Sequence, residues 1–377
     1  MVDHYLPRTE TFVYTALKSL RRTRPVVISY GEVINQDAFP VGEMPLHCVH
    51  QRLRRPRYLP IRAFSKLFRR DWTAKAQDRE CRAIARKQAP NLIHAHFGPV
   101  GYRALKLKHT LQVPLVTTFY GYDTNPTPQN PRWQSERREL LSKGDLFLVE
   151  GPFMKDTLTK LGCPPERLRI QRIGIDLEQL PPTKLKAARR IPVILFAARF
   201  VEKKGLQYGL EALFQLYRGG YQFECRIIGN GPLEAALRRF VAEKELGGVV
   251  RFLGSIPHSQ YLAEMTDADI FVQPSITAEN GDTEGGAPTS ILEAQGCRIP
   301  VVTTTHADIP NVVVPDQSAL LVKERDSDQL ADAIAKLLSR PQDSLEMGLT
   351  GRQFVQKNHS AATAGSCLED SYFSLSR

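Results

Sequence analysis

Short apolar runs, each closed by glycine, proline or an acid, alternate along the chain with longer amphipathic stretches. In the first half Pro25 to Tyr30, Pro45 to Val49, Asn91 to Gly98, Pro114 to Asp123, Asp145 to Glu150 and Arg169 to Asp176 read as strands. Runs of this length bounded by turn residues suit fully buried strands. Met1 to Pro7 reads as the clipped tail of a first strand, which enters a loop and a helix to about Arg22 that Thr9 or Thr11 caps. Further helices follow Gly98 to about His109 and run from Pro152 to Leu161. Glu178 to Arg190 has Pro181, Pro182 and four basic residues without apolar periodicity, so it reads as a linker.

A second alternating set follows, with strands at Pro192 to Arg199, Phe223 to Gly229, Val249 to Leu253, Ile270 to Gln273 and Ile299 to Thr303. Helices fill Leu206 to Arg218, Leu233 to Glu245 and Ser327 to Leu338, and the tail from Gln342 is helical with weak periodicity. Strands alternating with helices predict parallel βαβ units and a doubly wound sheet, here twice. The expected division is 1–178, a linker 179–190, 191–353, and a C-terminal segment 354–377 that crosses back. At 377 residues the chain suits two domains of roughly 180 residues.

Open α/β sheets bind ligands beyond the carboxyl ends of their strands. In the second half Arg199, Lys204, Gly229, Gly231, Ser275, Glu284 and Glu293 stand there. After the strand Asp269 to Pro274 comes Ala278-Glu279-Asn280-Gly281-Asp282-Thr283-Glu284-Gly285-Gly286-Ala287-Pro288, and a helix should open at Pro288. Gly285 and Gly286 let backbone amides approach a ligand, and the first helical turn adds N–H groups that favour anions. Glu293 lies four residues after Thr289 and stands over that turn. Amides for phosphate beside two carboxylates for hydroxyls suit a sugar nucleotide. Arg199 at a strand end and Lys204 before a helix add a bidentate cation and a compact one, able to neutralise a diphosphate leaving group. No carboxylate pair is assigned to Mg²⁺, and no metal is expected. Gly229-Asn230-Gly231-Pro232 by itself is as compatible with a tight turn as with a phosphate loop.

Composition adds a charge to explain. The formal net charge is +11 with a pI near 9.4, which leaves nucleic acid, anionic lipid and phosphorylated small molecules as partners. Thirteen of the basic residues fall between Arg52 and Lys87, against Asp71, Asp78 and Glu80. Tyr58, Leu59, Ile61, Phe64, Leu67, Phe68 and Trp72 interleave with them, as suits an anionic membrane surface; a helix packed on its own domain with a solvated basic face is the alternative. Nucleic acid is disfavoured, since the run carries no recognised binding signature. No apolar run approaches the roughly 18 residues of a membrane span and the start lacks a signal-peptide pattern. The expectation is a cytoplasmic protein, peripheral on the inner face of the membrane. Six scattered cysteines read as buried thiols in a reducing compartment. His94 and His96 share a strand face, with no carboxylate or cysteine at ligand spacing to complete a metal site; His96 is expected to face the cleft.

Together these residues resemble the family 4 retaining glycosyltransferases of the GT-B fold, in which two Rossmann-like doubly wound domains face each other across a cleft. The resemblance rests on Arg199…Lys204-Gly205 and on Glu284-Gly285-Gly286-Ala287-Pro288…Glu293-Ala294, with support from His94-Ala95-His96-Phe97-Gly98, Thr118 to Asp123, Gly174-Ile175-Asp176 and Pro274-Ser275. It implies that Arg199 and Lys204 hold a donor diphosphate, Glu284 contacts the donor sugar and Glu293 the ribose. Amides from Gly285 to Pro288 would steady sugar and phosphate, Thr9-Glu10-Thr11 would lie under the diphosphate, and His96, Tyr120 and Asp123 would face the sugar or acceptor. The implied partners are a UDP- or GDP-linked sugar and a saccharide or lipid-linked acceptor.

Departures from the family pattern are eight residues between Glu284 and Glu293 where seven are usual, Tyr120 where His is common, and Asn311 where an acid is frequent. A sugar-nucleotide epimerase of the same architecture and a non-catalytic binder remain alternatives.

Overall fold

A computed structural model of the chain describes residues 1–5, 10–36, 39–40, 42, 44–54, 72–125, 130–180, 191–286 and 288–375. Thr9, Ala287, residues 55–71 of the basic segment and the linker from 181 lie outside the described residues, as do the side chains of 72 and 73.

Two parallel sheets carry the two halves. In the first, β3 (Ile93–His96), β4 (Leu115–Thr118), β5 (Leu146–Val149) and β6 (Leu168–Ile170) pair in that order. Beside it, β1 (Val27–Ser29) pairs with β2 (Leu46–Cys48). Met1 and Val2 bridge the gap: Val2 N donates to Ile28 O at 3.1 Å and His96 N to Met1 O at 2.9 Å. A cavity of about 1050 Å³ lies next to this bridge, lined by Val26, Ile28, Leu92, Ile93 and Tyr372 among others.

The second sheet runs β12-β11-β10-β7-β8-β9, all parallel, with β7 (Val193–Ala197) and β10 (Ile270–Gln273) side by side in its middle. β8 is Glu224–Ile228, β9 Val250–Gly254, β11 Val301–Thr304 and β12 Ala319–Val322. The chain winds outward from β7 through β8 and β9, then returns to β10 and winds the other way. A crevice opens at such a reversal. Arg199 follows β7 and Ser275 follows β10, so the two connections flank it.

The strands form because they are buried on both faces. All five residues of β7, and all four each of β4, β5, β10 and β11, are buried. Such strands need continuous apolar runs, which is what the sequence supplies. The helices are α1 (Thr11–Lys18), α2 (Val49–Leu53), α3 (Trp72–Gln88), α4 (Gly98–Leu111), α5 (Pro131–Lys143), α6 (Pro152–Lys160), α7 (Leu206–Arg218), α8 (Glu234–Glu243), α9 (His258–Asp267), α10 (Thr289–Gly296), α11 (Ser327–Ser339), α12 (Pro341–Asn358) and α13 (Ala361–Phe373). α7 covers the sheet with Leu206, Leu210, Leu213 and Leu216, spaced three or four apart. Burying four leucines contributes roughly 6–12 kcal/mol of transfer free energy before chain entropy is counted.

Local ends differ from the sequence reading in small ways. α1 starts at Thr11 with Glu10 in the N-cap position and no side-chain cap bond, and it stops at Lys18. α10 begins at Thr289, with Pro288 as its N-cap. Of the six cysteines, five are buried and Cys367 is exposed.

The C-terminal segment returns to the first half. Ile175 pairs with Ser360, and α13 then packs under α1. Glu369 on α13 accepts from the backbone N–H of Arg21, Arg22 and Thr23 at 3.0, 2.6 and 2.8 Å, satisfying the amides beyond the end of α1. On the cleft side, Asp308 accepts from Phe153 N at 2.9 Å and Met154 N at 3.2 Å. A carboxylate from the second half therefore caps a helix of the first.

Candidate active site

Between the sheets lies a cavity of about 450 Å³, lined from the second half by Arg199, Lys203, Lys204, Gly229, Tyr261, Glu284, Pro288 and Glu293. Glu10, Thr11, Phe12, Tyr120, Tyr122 and Glu150 close it from the first half.

Arg199 is exposed, and among the described residues its guanidinium has no hydrogen-bond partner. Lys204 is different. Its Nζ donates to Glu284 Oε2 at 2.8 Å, with both side chains largely shielded from solvent. Burial lowers the Lys204 pKa, and Glu284 partly offsets it. Burial alone would raise Glu284, but Lys204, Lys203 and the Ser275 hydroxyl outweigh it and hold the carboxylate below its ordinary value.

A relay fixes Glu284. Ser275 Oγ donates to its Oε1 at 2.7 Å, and its backbone N–H donates to His306 Nε2 at 3.1 Å. His306 Nδ1 in turn lies 2.7 Å from Glu324 Oε1. Lys203 holds the preceding residues, donating to Asp282 Oδ1 at 3.2 Å and Thr283 O at 2.8 Å. Carboxylate and ammonium thus stand ready at one end of the cavity with their rotamers locked.

At the other end Glu293 accepts from the Tyr261 hydroxyl at 2.5 Å. Burial pushes Glu293 up to about 7, opposed by that hydrogen bond. Across from Arg199, burial and Asp3 raise Glu10 to about 7, and Arg199 opposes the rise. The turn after β8 comes close because glycine allows it: at Gly229, φ is +130°, and a Cβ would stand 1.9 Å from Ala198 O.

Sequence profiles of two kinds match the chain: Glycosyltransferase Family 4 over residues 9–179 and Glycosyl transferases group 1 over residues 182–354. The putative colanic acid biosynthesis glycosyltransferase WcaL of Salmonella typhimurium is 35% identical over 272 residues, covering 72% of this chain and 67% of that protein. WcaL of Escherichia coli is 36% identical over 267 residues, 70% of this chain and 66% of its own. The chain belongs to the family 4 glycosyltransferases of the GT-B fold. It spans about two thirds of the length of these relatives. The amylovoran biosynthesis glycosyltransferase AmsK of Erwinia amylovora is 34% identical over 271 residues, covering 71% of this chain and 66% of that protein. Among solved structures, Anabaena Alr3699/HepE in complex with UDP superposes with a TM-score of 0.77 at 15% identity, covering 99% of both chains. Sucrose-phosphate synthase from Thermosynechococcus elongatus gives 0.74 at 20%, covering 99% and 95%. At such identities the likeness concerns the fold.

The residues read from the sequence divide. Arg199, Lys204, Gly229, Glu284, Pro288, Glu293, Thr11 and Tyr120 come together around the cavity. Ser275 does not face it; the residue is fully buried and acts by orienting Glu284. Gly231 lies under Phe200, where a Cβ would meet that residue's backbone O at 2.6 Å. Gly285 packs on Gly121 and Gly286 on Glu150, and Ala287 lies outside the described residues.

His96 is placed differently from expectation. It is 3% exposed and stands behind the cavity wall, with Nδ1 2.7 Å from the Tyr120 hydroxyl. Burial, and then the charge of His94 stacked 4.3 Å away, hold its pKa well below the usual value, so it stays neutral. Asp123 also leaves the acceptor side. Fully buried, it accepts from Gly98 N at 2.8 Å, Tyr120 N at 3.0 Å and Gly121 N at 3.1 Å, which clamps the turn that carries Tyr120. Burial raises it to about 6, against those bonds.

The chain contains two Asp-x-Asp triplets, and both are engaged elsewhere. Asp267 binds Arg226 and Asp269 accepts from Val193 N, while Asp326 caps α11 and Asp328 accepts from Gln215. Glu10, expected under the diphosphate with Thr11, does line the cavity. Glu150, Lys203, Tyr261 and the His306–Glu324 pair were not singled out from the sequence; they join the site through tertiary packing, and their spacing carries no mark of it.

Proposed function

We propose that this protein moves a hexose from a UDP- or GDP-linked donor to a saccharide or lipid-linked acceptor, with retention at the anomeric carbon, in the synthesis of a cell-surface polysaccharide or glycolipid. One observation carries the reading: the exposed Arg199, the Lys204–Glu284 pair and Glu293 line one cavity between the two domains. Arg199 and Lys204 neutralise the diphosphate as it leaves, where charge develops in an oxocarbenium-like transition state. Glu284 accepts from hydroxyls of the donor sugar and Glu293 from those of the ribose. An oxygen of the departing phosphate takes the acceptor's proton, so the step needs no separate protein base.

Names of relatives support the substrate class: two are called colanic acid and amylovoran biosynthesis glycosyltransferases, and a Mycolicibacterium smegmatis protein, 28% identical over 284 residues, is called a GDP-mannose-dependent mannosyltransferase. No described helix is long and apolar enough to cross a membrane. The basic surplus between 52 and 87 supports work at an anionic membrane surface, although 55–71 lie outside the described residues.

A thermal-shift panel of UDP, GDP and their sugars tests the reading. A ligand at 100 times its Kd adds about 2.7 kcal/mol to stability, so one nucleotide series should raise Tm clearly. If no nucleotide or nucleotide sugar shifts the wild type at millimolar concentration, the assignment of the cavity is wrong.

A further inference from the structure

Two of the residues expected on the acceptor side, His96 and Asp123, are buried behind the cavity wall. What the first domain presents there instead is aromatic. Tyr122 is 54% exposed, and of the large apolar side chains exposed among the described residues it alone lines the cavity. Its ring stacks on Phe97, with centroids 5.5 Å apart and planes 28° apart, and Phe97 in turn packs on Tyr120 at 4.8 Å. This strip is held rigidly. Phe97 has φ +71°, a region that a bulky residue occupies only where its surroundings over-determine it. They do so here: Phe97 N donates to Thr118 O at 2.8 Å, and Gly98 N to Asp123 Oδ2 at 2.8 Å. Trp133 Nε1 donates to Asp123 O at 3.1 Å, which fixes the short helical turn Tyr122–Thr124 itself. The turn also abuts the second domain, since a Cβ on Gly121, whose φ is +124°, would stand 2.4 Å from the Glu284 carbonyl oxygen. An exposed ring is thus presented from a clamped turn, next to the end of the cavity where Lys204 and Glu284 stand.

We propose that Tyr122, backed by Phe97, is the platform on which an acceptor pyranose stacks through its apolar C–H face, beside the donor sugar at Glu284. An aromatic face is electron-rich and attracts C–H groups polarised by the sugar's oxygens, and the stacked area leaves water. A sugar lying face-on keeps its hydroxyls at the edge, where one of them can meet the donor. The surroundings of the ring select this occupant. A lipid tail would need a contiguous apolar surface, whereas Tyr122 is a single exposed ring in a cavity that Glu10, Arg199 and Lys204 also line. The donor's base, reached through the ribose at Glu293, belongs to the opposite end. The inference rests on the donor-transfer reading above and adds its acceptor side.

The test uses the wild type with whichever of UDP or GDP stabilises it, and the methyl glycosides of glucose, galactose, mannose and fucose as probes at millimolar concentration. In saturation-transfer NMR, irradiating the protein's aromatic protons should pass saturation to the C–H protons on one face of at least one glycoside. Tyr122→Ala should abolish that signal and raise the KM for transfer to the same glycoside about 5- to 30-fold, as truncating an aromatic anchor does, with the Kd of UDP or GDP held within about threefold. Tyr122→Phe should keep both signal and KM. Tyr122→Leu, which keeps apolar bulk without a π-face, should behave as Tyr122→Ala. Absence of signal from every glycoside on the nucleotide-bound wild type overturns the proposal, as does an unchanged signal in Tyr122→Ala or a Tyr122→Leu protein equal to wild type. Loss of nucleotide affinity in Tyr122→Ala marks the ring as a partner of the donor's base and also overturns it. In each case a wild type that binds nucleotide and depends on Arg199 leaves the transfer reading standing, whereas a wild type that binds none defeats both.

Discussion

Arg199 and Lys204 are assigned to the same diphosphate, yet the structure makes opposite statements about what removing each would do to the fold. Arg199 is exposed and has no hydrogen-bond partner among the described residues. Truncating it should change stability by no more than about 0.5 kcal/mol, as for most surface substitutions. Lys204 is 2.8 Å from Glu284, with side-chain exposures of 13% and 6%. Lys204→Ala leaves that carboxylate buried without its cation, and breaking such a pair costs about 3–5 kcal/mol. Against a stability of about 5–15 kcal/mol, that is a large fraction. For function the two should converge. One or two charge-assisted bonds to the diphosphate, each worth about 1.5–3 kcal/mol, correspond to roughly a 10- to 10⁴-fold loss of kcat/KM. The assay is urea unfolding beside donor turnover under conditions where all variants stay folded. The double variant Lys204→Met with Glu284→Gln should recover most of the stability and none of the activity. Near-normal turnover by Arg199→Ala, or wild-type stability of Lys204→Ala, would refute the reasoning.

The raised pKa of Glu293 makes stability depend on pH. Its folded value of about 7 exceeds the ordinary 4.5, so the native state binds the extra proton, and this contribution, present in full near pH 4.5, is lost as pH rises to about 7. Glu293→Gln should therefore match wild type at pH 5 and exceed it at pH 8 in urea unfolding, while weakening nucleotide binding by calorimetry. Asp308→Ala removes the cap on α6 that crosses the cleft, and should lower stability by about 1–2 kcal/mol with nucleotide binding retained, read by unfolding and thermal shift.

Much of this site could be read one-dimensionally because its parts obey local rules. A glycine pair before a helix, a cation at a strand end and acids at helical spacing are chemical statements that spacing alone carries. His96 and Asp123 show where that stops. His96 ends β3 and Asp123 lies in the short helical turn Tyr122–Thr124 after β4, but whether a side chain there faces the cleft or the protein is set by how the turn folds. Asp123 folds back on the amides of Gly98, Tyr120 and Gly121, and Tyr120 covers His96. Glu150 is the converse case, an acid at a strand end whose place over Gly286 depends on how two domains meet.

The sequence by itself determined the fold class and the rear half of the cavity, since buried parallel strands demand continuous apolar runs and anion sites demand glycine and cations at fixed offsets. Only the tertiary structure decided which acids and rings face the ligand, which residues of the first domain oppose Glu284, and that Lys204 supports the fold while Arg199 does not. Those facts depend on contacts between separate segments, from His96 with Tyr120 across 24 positions through Lys204 with Glu284 across 80 to Asp308 with Phe153 across 155, and no local pattern encodes them.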